Sequence, residues 1–162
     1  MIVVSDTSAL SALFLVGHLD LLPSLYGQVV VPPAVMREIL QLESQFGHDL
    51  SSLKNSSWIS VIPVSDVKKV RVYRRVLDEG ESEAIVLASE ISADLLLIDE
   101  MRGRKVAQSA GIPYTGLLGV LLSAKSKGLL NAIRPILDNL RSETSFRISQ
   151  KLYDYVLLQA GE

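Results

Sequence analysis

Two apolar runs that each stop at an aspartate constrain this chain most. Leu95-Leu-Leu-Ile98 is apolar at every position and ends at Asp99, and Met1-Ile-Val-Val-Ser5 ends at Asp6. A run without polar alternation marks a strand buried on both faces, the kind found in parallel sheets sandwiched by helices. Strand-like runs at 1–5, 28–31, 58–62 and 94–98 alternate with helical patterns. That alternation predicts βα units, and with them a three-layer α/β/α sandwich around a mostly parallel sheet. In open sheets of this kind ligands bind in the crevice at the carboxyl ends of the strands. Asp6 and Asp99 both fall at such ends.

The helical patterns fill the spaces between the strands. Asp6-Thr-Ser8 offers N-cap oxygens for a helix over Ala9–Val16, and Leu19–Tyr26 reads as a second, ended by Gly27. Pro33 suits the first turn of the helix that carries Glu38. Gln45–Ser57 is irregular and reads as a surface loop or a short helix. Ser65 or Asp66 caps a helix over Val67–Leu77. Gly80 separates it from another whose apolar stripe is Ala84, Ile85, Leu87, Ala88 and Ile91. Helices over 101–110 and Leu117–Lys127 flank a short edge strand at 112–115. Two more, over 130–141 and 145–159, close the chain, the last capped by Thr144 or Ser145. The expected organisation is one domain over 1–162, with its core in 1–130 and C-terminal helices over 130–160.

A chain of 162 residues is long enough to bury a core. Its 48% hydrophobic and 21% charged residues are those of an ordinary globular protein. The absence of cysteine excludes disulfides, thiolate metal sites and cysteine nucleophiles. The amino terminus reads as a strand rather than a signal peptide, and no apolar stretch reaches the ~18 residues of a membrane span. The expectation is a soluble, cytoplasmic protein with no membrane partner. A net charge of −2 argues against holding nucleic acid by bulk electrostatics. The basic residues nevertheless cluster, at Lys68-Lys69, Arg71 and Arg74-Arg75, and at Arg102, Arg104 and Lys105 directly after Asp99. Each cluster is either a solvated helix face or the basic flank of an acidic centre.

Four acids stand where elements begin or end: Asp6, Glu38, Glu83 and Asp99. Asp6 and Asp99 each have a second explanation, as caps of the helices that follow them. Glu38 alone has the pattern of a solvated face. Glu83 leads directly into the apolar stripe, with Glu81 and Glu79 as alternatives for the inward-facing acid. Gathered together, such carboxylates need a cation, because like charges at close quarters do not all stay ionised. An all-oxygen donor set favours Mg²⁺ or Mn²⁺. Ser8 and Thr115 place hydroxyls beside the proposed centre. His18 and His48 lack metal-ligand spacing. No Gly-x-Ser-x-Gly elbow or phosphate loop occurs, and Gly116-Leu-Leu-Gly119 is too sparse for a dinucleotide fingerprint, so no nucleotide cofactor is expected.

The chain resembles the PIN-domain nucleases, in particular their small single-domain prokaryotic branch. The matching pieces are Val4-Ser-Asp-Thr-Ser-Ala-Leu10, Val31-Pro-Pro-Ala-Val-Met-Arg-Glu-Ile39 and Gly80-Glu-Ser-Glu-Ala-Ile-Val-Leu-Ala88, followed by Leu97-Ile-Asp-Glu-Met-Arg-Gly-Arg-Lys-Val-Ala107 and Gly111-Ile-Pro through Gly116-Leu-Leu-Gly-Val-Leu121. Together they span about residues 2–130 in the expected order. The resemblance implies an Mg²⁺- or Mn²⁺-dependent endoribonuclease acting on RNA. Its acids fall on Asp6, Glu38, Glu83 and Asp99, with Asp6, Asp99 and Glu83 as the metal ligands and Ser8 orienting Asp6. Arg102, Arg104 and Lys105 would then grip phosphates, since guanidinium forks match phosphate geometry. The resemblance also implies the toxin half of a toxin–antitoxin pair, a homodimer and an antitoxin partner protein. One departure is Leu117, where the branch usually carries a small hydroxyl residue. It leaves open a catalytically weak, nucleic-acid- or metal-binding module acting through a partner. A phosphatase using Asp6 as nucleophile fits less well, because Ser8 stands where that chemistry needs a second aspartate.

Overall fold

The computed structural model describes residues 1–162, Phe46 and Ser52 by their backbone alone. In chain order the elements are β1 (Val3–Ser5), α1 (Thr7–Leu15), α2 (Leu21–Tyr26), β2 (Val29–Val31), α3 (Pro33–Phe46), α4 (Ser51–Lys54) and β3 (Ile59–Val61). They continue with α5 (Val67–Tyr73), α6 (Glu79–Glu90), β4 (Leu95–Leu97), α7 (Met101–Ser109), β5 (Tyr114–Thr115), α8 (Leu117–Ser126), α9 (Arg134–Glu143) and α10 (Gln150–Ala160). The strands form one sheet in the order β3-β2-β1-β4-β5, parallel at every pairing.

The expected α/β/α sandwich is what forms, and the burial of the central strands shows why. Val3 and Val4 are neighbours on β1 and so face opposite sides of the sheet, yet both are 0% exposed, as are Leu96 and Leu97 on β4. Each such side chain contributes ~1.5–3 kcal/mol on burial, so the β1–β4 pair is the apolar spine of the molecule. α6 packs on β1 and β4, while α8 packs on β5, α1, α2 and α10.

The strand order also places a crevice. The chain steps outward from β1 to β2 to β3, then returns to pair β4 with the other side of β1. The direction of travel reverses between β1 and β4, and at such a switch point the flanking connections diverge and leave room for a ligand. Asp6 N donates to Leu97 O at 3.0 Å, so Asp6 leaves the sheet level with the last residue of β4.

Several boundaries differ from those predicted. The helix expected over Val67–Leu77 ends at Tyr73, because Asp78 has to be extended (ψ 178°) to cap α6. The Gln45–Ser57 stretch holds the end of α3 and the short α4. The edge strand narrows to Tyr114–Thr115. The last helix begins at Gln150 with Ser149 as its cap, not Thr144 or Ser145. Thr144 instead closes α9, its hydroxyl donating to Leu140 O at 2.7 Å and accepting from Phe146 N at 3.0 Å. Among the described residues no helix is long and apolar enough to cross a membrane.

Candidate active site

Asp6 is the innermost acid. It is 0% exposed and caps α1, with Oδ1 accepting from Ala9 N at a long 3.4 Å. Capping uses one oxygen; Oδ2 is buried with no hydrogen-bond partner among the described residues. Burial pushes the carboxyl group well above the usual range, Asp99 pushes it further, and Glu81 and Asp78 add to the effect. A bare cap has no need of this arrangement, since leaving a buried acceptor unpaired costs ~1–3 kcal/mol.

Asp99 follows β4 across the switch point and is satisfied differently. Its side chain is 12% exposed. Leu117 N donates to both carboxylate oxygens, at 3.0 and 3.2 Å, and Arg104 Nη2 donates to Oδ1 at 3.3 Å. Burial raises its pKa, while Leu117 N–H and the Arg104 charge oppose the rise. Asp99 therefore caps α8, not the α7 that follows it in sequence; α7 begins at Glu100 without a side-chain cap. A Cβ on Gly116 would collide with both Arg104 Nη2 and Asp99 Oδ1, so this pairing depends on glycine there.

Glu38 does not lie on a solvated face. Its carboxylate accepts from Thr7 Oγ1 and from Gly80 N, the latter at 3.0 Å, tying α3 to the starts of α1 and α6. Burial raises its pKa. A Cβ on Gly80 would stand 2.5 Å from Glu38 Oε2, which accounts for the glycine.

Of the acids of α6, Glu81 is the one whose charge adds to the raised pKa of Asp6. It is 6% exposed and shares a capping box with Asp78: Glu81 N donates to Asp78 Oδ1 at 2.8 Å and Asp78 N donates to Glu81 Oε2 at 3.4 Å. Oε1 is buried without a partner among the described residues, beside Gly103 of α7. Burial, then Asp78, lifts its pKa to about 7. Glu83 lies two positions on, about 200° around the helix, and accepts from Ala34 N at 2.9 Å in the first turn of α3. Glu83 is thus held at the start of α3, and the buried, unpartnered oxygen on α6 belongs to its alternative, Glu81. The signal was in the sequence: Asp78-Glu-Gly-Glu81 has the spacing of a capping box, whose glutamate is held by the backbone at a fixed place.

The remaining expectations divide. Leu117 is 0% exposed in the core, and its backbone N–H, not its side chain, serves Asp99. Ser8 and Thr115 line the groove beside Asp99, but the hydroxyl that reaches an acid is that of Thr7. Arg104 is not a free phosphate ligand, because Asp99 and Ile98 O (3.0 Å from Nε) hold it. Arg102 is exposed, and Lys105 borders a separate cleft with Lys69 and Tyr73.

Among the described residues no three acids or imidazoles stand close enough to share an ion. The four-acid cluster expected from sequence (Asp6, Glu38, Glu83 and Asp99) is thus not drawn together: Glu38, Glu83 and Asp99 each accept from backbone N–H donors. The charges of Asp99 and Glu81 nevertheless both add to the raised pKa of Asp6. Their donor chemistry fits a hard cation: every donor is oxygen, and Asp6 Oδ2 and Glu81 Oε1 are uncommitted and buried. A groove of about 760 Å³ has Asp99 in its lining, together with Ser8, Arg104, Thr115 and residues of the 144–156 segment.

A parallel sheet with buried acids at its switch point, beside a groove, defines the class of this domain as α/β. A PIN-domain family matches residues 2–162. The chain belongs to that family, whose members are generally nucleases and generally use divalent metal ions. Among solved structures it is similar to a PilT N-terminus domain protein from the hyperthermophilic archaeon Sulfolobus solfataricus P2. The two share 21% identity at a TM-score of 0.49, over 76% of this chain and 93% of that one. A search of curated proteins gave no match.

Proposed function

We propose that this PIN domain is a divalent-metal-dependent endoribonuclease whose centre is Asp6, Asp99 and Glu81, with Glu38 as the residue that positions them. The observation that carries the reading is Asp6, a fully buried acid with one oxygen unpartnered, at the switch point beside two further acids. Asp6 and Asp99 would hold Mg²⁺ or Mn²⁺, which when bound supplies charge neutralisation and Lewis acidity toward a phosphodiester.

The chain's own residues set the stage for hydrolysis. Water attacks phosphorus in line, the bond to the 3′ oxygen breaks, and that oxygen takes a proton from solvent, so the products carry a 5′-phosphate and a 3′-hydroxyl. Glu81 Oε1, buried and uncommitted, takes the proton that the attacking water loses. Glu38 keeps the starts of α1 and α6 together through Thr7 and Gly80, and so fixes Asp6 relative to Glu81. The test is cleavage of an end-labelled single-stranded RNA with Mn²⁺ or Mg²⁺, with and without EDTA, by the parent and by Asp6→Asn. Equal turnover by the two proteins would end the assignment.

A second reading has its own observation. Asp99 is already paired with Arg104 and Leu117 N–H, and no three acids stand at ligand distance among the described residues. A catalytically weak module that binds metal or nucleic acid through this site is consistent with that. A Mn²⁺-induced thermal shift without strand cleavage would favour it.

A further inference from the structure

The groove from Asp99 has a second wall that no part of the catalytic reading uses. Residues 144–147 and Leu152, Tyr155 and Val156 of α10 form it, in the same groove as Ser8 and Arg104. This wall is braced. Thr144 ties it to α9, Arg141 Nη2 donates to Ile148 O at 3.4 Å, and Ser149 caps α10, which packs on α8.

Its functional groups are uncommitted. Arg147 is exposed and makes no ion pair or hydrogen bond among the described residues, whereas Arg104 in the same groove is held by Asp99. Tyr155 is 56% exposed, and Tyr114, on the β5 edge of the same groove, is 37% exposed. A free guanidinium and two open rings lining one groove are the combination that binds a strand without reading its sequence: charge for the phosphate, ring faces for the bases. The volume, about 760 Å³, lies in the ~300–1,000 Å³ range of pockets that enclose a small ligand. That is room for a few nucleotides of one strand.

We infer that Arg147, Tyr155 and Tyr114 form a binding subsite for unpaired RNA that leads the strand to Asp99, making the C-terminal segment the element that selects single strands. The inference deepens the nuclease reading and rests on it for the choice of nucleic acid as occupant. Its chemistry is a phosphate on Arg147 and bases stacked on Tyr155 and Tyr114.

The test is fluorescence anisotropy with a short labelled single-stranded RNA, and with the same sequence as a duplex. It uses the full chain in EDTA, so that binding is read without cleavage. The parent should bind the strand and not the duplex. Arg147→Ala should weaken strand binding and flatten the dependence of log affinity on log salt by about 0.7, with Arg147→Lys restoring the slope. Tyr155→Ala should weaken binding about tenfold and leave the slope unchanged. Both side chains are exposed, and a circular-dichroism melt checks that the variants fold. The inference is overturned if either variant binds like the parent, if the duplex binds as well as the strand, or if the parent binds no strand. It is also overturned if the variants change only the association state, which would make the wall a protein contact. Parallel reactions in Mn²⁺ separate the two readings. Strand binding lost in the variants of a parent that never cuts supports the subsite and sinks catalysis; variants that bind and cut like an active parent do the reverse.

Discussion

The two sides of the crevice are finished to different degrees. On the β4 side Asp99 is answered by Leu117 N–H and by Arg104, and its raised pKa is opposed by both. On the β1 side Asp6 and Glu81 each bury an oxygen that nothing answers, and every charged neighbour pushes Asp6 upward. The Asp99 side is a structural joint that also faces the groove. The Asp6 side holds the protein at some cost in stability, the state expected of a centre that a cation would relieve.

The largest expected effect tests that contrast directly. Asp6→Asn should reduce Mn²⁺-dependent RNA cleavage by about a thousandfold, the loss of several kcal/mol of charge stabilisation. In EDTA the same variant should melt higher than the parent, because it removes a buried charge crowded by other acids. Activity and stability move in opposite directions. If Asp6→Asn melts lower, Asp6 is a structural cap and the contrast collapses.

On the other side the signs should agree. Asp99→Ala removes the α8 cap and strands Arg104, so it should lower stability by about 1–2 kcal/mol and impair cleavage together. Gly116→Ala should cost about 1–3 kcal/mol by forcing a Cβ into the same pair. Denaturant melts in EDTA read both. A neutral Gly116→Ala would show that Asp99 and Arg104 are not held as described.

How much of this was legible in the sequence depended on whether a residue's role was set locally. Asp6 and Asp99 stood at strand ends because fully apolar runs such as Leu95-Leu-Leu-Ile98 announce buried strands, and the parallel sheet followed from them. The role of Glu38 is not local: its partners, Thr7 and Gly80, are 31 and 42 positions away, and a lone glutamate on a helix carries no trace of them. Asp99 capping α8 is the same kind of case, 18 positions distant. Leu117 looked like a lost hydroxyl because the sequence shows side chains, whereas its contribution is a backbone N–H. Glu81 and Glu83 stand two positions apart on α6, and the Asp78–Glu81 capping box gives Glu81 a backbone-held place that the apolar stripe alone does not show.

A pH effect should sharpen the comparison further. An acid with a raised folded-state pKa holds more protons folded than unfolded between its ordinary and its raised value, so stability falls as pH rises through that window. For Glu81 the window runs from 4.5 to about 7, and Asp6 shifts in the same direction. In EDTA the protein should therefore gain stability as pH is lowered from 7 toward 5, by up to about 3 kcal/mol. Glu81→Gln should flatten the profile. A parent whose stability falls monotonically over that range would show that the Asp6 side carries no unrelieved charge.

The smallest effect separates the two glutamates of α6. Glu83→Gln keeps an oxygen that can accept from Ala34 N, so it should cost about 0.5–1 kcal/mol, the charge-assisted part of that bond with the α3 dipole. Cleavage and the Mn²⁺-induced thermal shift should stay within a fewfold of the parent. Glu81→Gln should reduce both strongly while stabilising the metal-free protein at neutral pH. The pair shares one helix, one charge and neighbouring backbone, so surface electrostatics alone predicts the same response from each. A larger loss from Glu83→Gln than from Glu81→Gln would move the third acid to the start of α3 and leave Glu81 as the box residue only. The predicted ordering instead means that the orphaned oxygen, more than the count of acids on α6, decides which glutamate serves Asp6.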